Sequence, residues 1–144
     1  MTSPIESRNP DNAQWIDFKQ HKAHEFIGLG YSVQWHPDRI CLMDIYVPGW
    51  VYQQPEYRAC VNFSLQPSTA GLDGGRITGL SILERLVEYP DAARDGPREH
   101  QRALCRYDRG GIRFLYSLKD RTDYLALLPV AKSLYDDVRR VFNR

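Results

Sequence analysis

The feature that most constrains the fold is a strict alternation of apolar and polar residues over 57–66, YRACVNFSLQ. Successive side chains of a β-strand point to opposite faces, so this alternation predicts a strand with one face on a core and the other facing water. The face predicted to be buried carries Tyr57, Ala59, Val61, Phe63 and Leu65, and the other carries Arg58, Cys60, Asn62, Ser64 and Gln66.

Further strands are predicted on both sides of this one. A short strand and a turn are expected over 31–39. The branched residues of 40–48 predict a second strand, whose purely apolar face carries Cys41, Met43, Ile45 and Val47. Residues 75–83 are predicted as a strand because Gly79 would interrupt a helix, while apolar spacing leaves a helix open for the remainder to 88. Two further strands are predicted over 100–108 and 112–118.

Two helices are predicted to flank these strands. Asp11 or Asn12 can cap a helix over about 12–28, and the tail predicts a helix from about 130 to 142. Two alternatives stay open for 121–129: a strand that ends where Pro129 opens the helix, or a backward extension of the helix with Pro129 as a kink. The predicted fold class is α+β, an antiparallel meander of about five strands with both helices on one face.

Size and composition indicate one globular domain, predicted over 12–144 after a flexible arm over 1–11. The net charge of +1 excludes a global field that would drive the chain onto nucleic acid or an anionic membrane. No signal peptide and no apolar run of about 18 residues is visible, so a cytoplasmic protein without a membrane span is expected. The three cysteines lack CxxC spacing, and we predict that Cys41, Cys60 and Cys105 are buried reduced thiols.

The sequence contains no strong catalytic motif, and we expect neither a metal nor a cofactor. His21 and His24 share a helix face, but two histidines need a third ligand to form a metal site. Asp44 lies on the less apolar face of its strand, and a catalytic carboxylate usually needs a partner that shifts its pKa. The sequence therefore favours a binding protein over an enzyme.

Two segments are candidates for binding. PGWVYQQPEY, 48–57, places Trp50 and Tyr52 between prolines, and aromatic residues exposed on loops are typical anchors for protein partners. CRYDRGGIRFLYSLKDR, 105–121, contributes the basic candidates Arg106, Arg109, Arg113 and Lys119. Arginines for phosphate and tyrosines for stacking suit single-stranded RNA, whereas alternating polar and apolar residues also suit a solvated hairpin face. Both interpretations stay open.

STAGLDGGRITGLSI, 68–82, followed by CRYDRGG, 105–111, resembles a family of small bacterial and phage-associated proteins. Members of that family carry a GRIxxLxI strand and then a YDRGW-like hairpin, and the resemblance spans about 57–111. The family has no established activity, so the resemblance implies a fold element, a strand at 75–83, and a bacterial or phage-related origin.

RGGIRFLYSLKDRTDYLALLPVAKSLYDDV, 109–138, resembles the C-terminal half of RelE/ParE-type toxins. The resemblance implies that DYLALLPV, 123–130, is a strand. It also implies that Arg109, Arg113, Lys132 and Tyr135 contact RNA, with basic groups stabilising a pentacoordinate phosphate.

The sequence thus leads to two functional hypotheses. The first is a non-enzymatic protein-binding module. The alternative is an RNA-directed protein, in its most specific form a RelE/ParE-like ribonuclease toxin. An exposed strand edge would also make a homodimer natural.

Overall fold

A computed structural model describes residues 9–36, 38–47, 55–88, 96, 98–108, 111–114 and 128–144. The described elements, in chain order, are helix α1 (Asn9–Gly28), strands β1 (Ser32–Trp35), β2 (Leu42–Tyr46) and β3 (Glu56–Phe63), a 3-10 turn (Leu72–Gly74), strands β4 (Ile77–Glu88), β5 (Arg98–Asp108) and β6 (Gly111–Phe114), and helix α2 (Pro129–Asn143).

The described strands form one sheet in the order β1-β2-β3-β4-β5-β6, and every neighbouring pair is antiparallel. Each strand therefore pairs with the next strand along the chain, as in a meander. The predicted α+β class is confirmed, with six strands described where about five were expected. Helix α1 begins at Asn9, shortly before the expected cap at Asp11 or Asn12.

The alternation that predicted β3 is reproduced in its burial. Tyr57, Ala59, Val61 and Phe63 are buried, and the residues between them are half-buried or exposed. On β2, Met43 and Ile45 are fully buried on the same side of the sheet. The apolar face predicted for β2 and β3 is therefore the face that packs on the core, but Leu65, predicted on that face, lies beyond the end of β3 and is half-buried.

β4 is a strand over Ile77–Glu88, so the strand predicted over 75–83 begins at Ile77 and continues through 84–88, for which a helix was also open. Ile77 and Leu80 both face the core although they are three residues apart, a spacing that suggests a helix. The pairing shows why: Asn62 lies opposite Gly79 but Phe63 lies opposite Ile77, so Thr78 is the extra residue of a β-bulge. The bulge produces the helix-like spacing within a strand.

Both helices pack on the apolar face of the sheet. Phe26 of α1 and Phe142 of α2 are fully buried, with ring centroids 5.6 Å apart, and Phe63 of β3 lies 5.1 Å from Phe142. Pro129 occupies the first turn of α2, where its missing N–H costs no hydrogen bond. Residues 121–127, for which strand and helix were both open, lie outside the described residues.

Lys22 is buried among the apolar residues of α1, and its side chain connects α1 with α2. Its Nζ donates a hydrogen bond of 2.8 Å to the carbonyl of Val141 and lies 3.3 Å from a carboxylate oxygen of Glu25. The carbonyls in the last turn of a helix have no partner within the helix, so a lysine from a neighbouring helix can satisfy one. The buried charge thus completes the end of α2.

The prediction for the cysteines is only partly correct. Cys105 is buried, but Cys41 and Cys60 are half-buried, and all three are free thiols. Cys60 was expected to be buried although its strand position lies on the polar face, and the alternation of β3 keeps it there. Among the described residues, neither helix has the combination of length and apolar character that crossing a membrane requires.

Candidate functional site

The face of the sheet opposite the helices is the candidate site, and we call it the open face. The strand register places a row of side chains across it: Gln34 of β1, Asp44 and Tyr46 of β2, Glu56, Arg58, Cys60 and Asn62 of β3, Ser81, Leu83 and Arg85 of β4, and Gln101 and Arg106 of β5. Apart from Asp44, each of these residues is half-buried or exposed. The face is polar and carries charges of both signs.

A groove of about 250 Å³ crosses this face where β2 ends and β3 begins. It is lined by Tyr46, Glu56, Arg58, Leu83, Arg85, Glu99 and Gln101. The antiparallel register explains the composition, since Tyr46 lies opposite Arg58, Arg58 opposite Leu83, and Glu56 opposite Arg85. Four strands thus supply one aromatic ring, one aliphatic chain and four charged groups.

A hydrogen-bonded chain orders one end of this groove. Tyr46 Oη donates to Gln34 Oε1 at 2.7 Å, and Arg58 Nη1 donates to Tyr46 Oη at 3.3 Å. The guanidinium carbon of Arg58 lies 5.7 Å from the centroid of the Tyr46 ring. Burial acts to lower the pKa of Arg58, but the hydrogen bond to Tyr46 and nearby negative groups raise it on balance, so the guanidinium stays charged.

The other end of the groove is dominated by carboxylates. Arg85 Nε lies 2.7 Å from Glu99 Oε1, and its Nη1 lies 3.8 Å from Glu56 Oε1. The Arg85 guanidinium therefore lies near two carboxylates at this end, whereas Arg58 is the cation at the Tyr46 end.

A second, wider hollow of about 520 Å³ lies farther along the open face. Asn62, the bulge residue Thr78, Gly79 and Ser81 contribute to its lining, with Arg106 and Asp108 on the β5 side. The two charged residues have opposite signs, so this hollow has no net charge from its described lining.

The sequence analysis missed a pair formed by His36 and Asp44. His36 Nε2 lies 2.6 Å from Asp44 Oδ2, and Asp44 is only 5% exposed. The register of β1 and β2 pairs Gln34 with Asp44, which makes His36 a diagonal neighbour of Asp44. A two-residue turn at 37–38 would pair residue 36 with 39, whereas the observed register pairs 35 with 43, so the turn alone could not have shown this contact.

Cys60 lies directly opposite Asp44, but it does not complete a nucleophilic site. Burial and, second, the hydrogen bond and negative charge of Asp44 together raise the pKa of the Cys60 thiol to about 12. A nucleophilic cysteine requires the thiolate, which neighbouring positive charge stabilises and burial opposes. The contact between Cys60 and Asp44 is therefore a structural one between β3 and β2.

We expect Cys60 in the folded protein to react with iodoacetamide at pH 8 at least about 100-fold more slowly than in urea, because its thiolate fraction is small. Asp44→Asn removes the negative charge beside the thiol and should accelerate the reaction. Peptide mass spectrometry distinguishes Cys60 from Cys41 and Cys105. Equal rates in the folded and unfolded protein would contradict the raised pKa of Cys60.

The described residues contain no group of three or more histidine, cysteine or acidic side chains that could hold a metal ion. His21 and His24 accordingly have no third ligand within the part of the chain that the structure describes.

The predicted binding residues fall into three groups. Trp50, Tyr52, Arg109 and Lys119 lie outside the described residues. Arg106 is exposed on β5, and the backbone of Arg113 on β6 pairs opposite it. Tyr135 is 5% exposed, with the Arg139 guanidinium 5.1 Å from its ring centroid, so it packs in the core and offers little ring surface to a ligand.

The chain matches no family model, no curated protein and no solved structure.

Proposed function

We propose that this protein is a cytoplasmic, non-enzymatic binding module that holds a protein partner on the open face of its sheet. The observation that carries the proposal is the groove of mixed charge around Tyr46 and Arg58. Tyrosine and arginine are enriched among the residues that dominate binding energy in protein interfaces. Three free cysteines are consistent with a reducing compartment.

The chain connectivity links this groove with the predicted aromatic anchors. Tyr46 and Glu56 both line the groove, and the connection that contains Trp50 and Tyr52 runs between them in sequence. Aromatic anchors in this connection and the groove that its flanking residues line would act as one interface.

The charge of the open face supports a protein partner more than RNA. In the groove, Arg58 and Arg85 are balanced by Glu56 and Glu99. Phosphate backbones select surfaces with an excess of basic groups, whereas protein interfaces use paired charges to fix orientation.

The test is capture of a partner by immobilised protein from cells that produce it, with Arg58→Gln, Trp50→Ala and Arg140→Gln as variants. Arg140 is exposed and paired with Asp137 on α2, so its variant is a matched control. We expect one protein to be retained by the wild type and by Arg140→Gln. Its affinity, measured with the purified partner, should fall at least about 10-fold in the other two variants.

Thermal melting of each variant separates loss of binding from loss of folding. If Trp50 is an anchor, Trp50→Ala should leave the melting temperature unchanged, and a large drop would assign it to the core instead. Retention of the same partner with equal affinity by all variants would overturn the proposal.

The RNA-directed alternative rests on Arg106 and Arg113, which occupy directly opposed positions on β5 and β6. A phosphate backbone selects segments rich in basic residues. Cell-free translation with purified protein decides the matter: messenger cleavage that is lost in Arg106→Ala supports the alternative, and intact messenger contradicts it.

A homodimer that forms through the edge strand β1 remains a prediction. Among the described residues, β1 pairs only with β2. Sedimentation of the purified protein at micromolar concentration would show whether two copies associate.

A further inference from the structure

Arg58 differs from the other arginine of the groove in its electrostatic surroundings. Arg85 lies near two carboxylates, Glu56 and Glu99. Within the described part of the chain, no carboxylate lies at ion-pair distance from Arg58, and Asp44 acts on it only from farther away. Arg58 is half-buried, so its guanidinium has lost part of its hydration, and an opposite charge gains more here than on open surface.

The guanidinium of Arg58 is also held in place. Its Nη1 donates to Tyr46 Oη, and Tyr46 in turn donates to Gln34. A guanidinium has five N–H donors in a fixed planar arrangement, and this contact uses one of them. Cys60 also lies within hydrogen-bond reach of this guanidinium, and the donors that remain can bind a carboxylate with two parallel hydrogen bonds.

The connection that precedes Arg58 in the sequence does not supply that carboxylate. The connection from β2 to β3, 48–54, reads PGWVYQQ and contains no acidic residue. Leu83, opposite Arg58 on β4, offers an apolar contact for the aliphatic part of an incoming side chain. A volume of about 250 Å³ suits a single side chain and is smaller than the usual pocket of a cofactor.

We propose that the groove takes the carboxylate of an aspartate or glutamate side chain of a protein partner, with Arg58 as its cation. This inference rests on the proposed function and specifies the chemistry that the partner must present. Glu56 and Glu99 at the other end repel a second carboxylate, so they fix the acidic group at the Arg58 end. The groove thereby selects an acidic residue and also its position.

The test is a titration of ¹⁵N-labelled protein, followed through the arginine Nε–H signals. The probes are N-acetyl-glutamate α-amide and its uncharged counterpart, N-acetyl-glutamine α-amide. We expect the glutamate probe to shift the Arg58 signal saturably, with a dissociation constant on the order of millimolar for so small a ligand. The glutamine probe should leave that signal unchanged.

Arg58→Gln should abolish the response, and Arg140→Gln should preserve it. Tyr46→Phe removes the hydroxyl that orients Arg58, so it should weaken probe binding several-fold, and it provides a second test if Arg58→Gln fails to fold. Equal shifts with both probes, or equal shifts of all exposed arginines, would overturn the inference.

The two proposals can fail separately. Capture of a partner that persists in Arg58→Gln, together with an unresponsive Arg58 signal, would refute the acidic-residue inference and leave the binding function standing. A responsive Arg58 signal without any captured protein would refute the protein-binding function and leave only the preference of the groove for a carboxylate.

Discussion

Replacing Phe142 with alanine is expected to lower the free energy of unfolding by about 3–5 kcal/mol, the usual cost of removing a buried phenyl ring. The ring is fully buried and touches three other rings, with centroids at 5.1 Å (Phe63), 5.6 Å (Phe26) and 6.5 Å (Phe18). These rings come from both helices and from β3, so the cavity would open where all three elements meet. Urea denaturation measures the loss.

Two further variants make this result interpretable. Phe142→Leu keeps part of the volume and should cost about 1–2 kcal/mol, which allows measurement if the alanine variant does not fold. Val130→Ala, at an exposed position of the same helix, should change stability by less than about 0.5 kcal/mol. A similar loss for Val130→Ala and Phe142→Ala would mean that the aromatic cluster is not the centre of the core.

Replacing Gly71 with alanine is expected to destabilise the fold by about 1–3 kcal/mol because the added methyl group has no space. A Cβ at this position would overlap the carbonyl oxygen of Gly75 and lie 3.1 Å from that of Ser68. Both neighbours are backbone atoms of a loop closed by its own hydrogen bonds, Gly71 N to Ser68 O at 2.9 Å and Ser68 N to Gly75 O at 3.0 Å. The loop cannot yield without losing them.

Gly28→Ala is the matched control for Gly71→Ala. A Cβ at Gly28 meets nothing within 4 Å, and the residue ends α1. Alanine is the better helix former, so this variant should be neutral or more stable by up to about 1 kcal/mol. Gly71 has φ −75°, which any residue adopts, so its requirement for glycine is purely steric. A neutral Gly71→Ala would show that the loop over 68–75 is looser than described.

The loop around Gly71 also shows what local sequence cannot reveal. The structure of this loop depends on the end of α2. Asn143 Oδ1 accepts a hydrogen bond from Arg76 N at 2.9 Å, and Asn143 Nδ2 donates to Leu72 O at 3.2 Å. Arg139 makes two hydrogen bonds to the carboxylate of Asp73. The partners are separated by 66 to 71 residues, so no local pattern reports them.

The candidate site was predictable in part. The alternation of β3 placed Arg58 and Cys60 on the polar face, which is the open face. It did not show that Tyr46 would order Arg58, or that Glu99 and Glu56 would share Arg85. Those contacts depend on the register of four strands, and a shift by one residue would move every side chain to the other face.

The sequence by itself determined the α+β class, the two flanking helices and which face of β2 and β3 is buried. It could do so because burial on one side leaves a period of two or of about 3.6 in the order of apolar residues. Only the tertiary structure decided where that period breaks, as at the bulge residue Thr78. It also decided why Lys22 is buried and which cation of the groove has no carboxylate at ion-pair distance among the described residues. These features arise from contacts between distant segments, and their energy depends on distance and burial rather than on residue order.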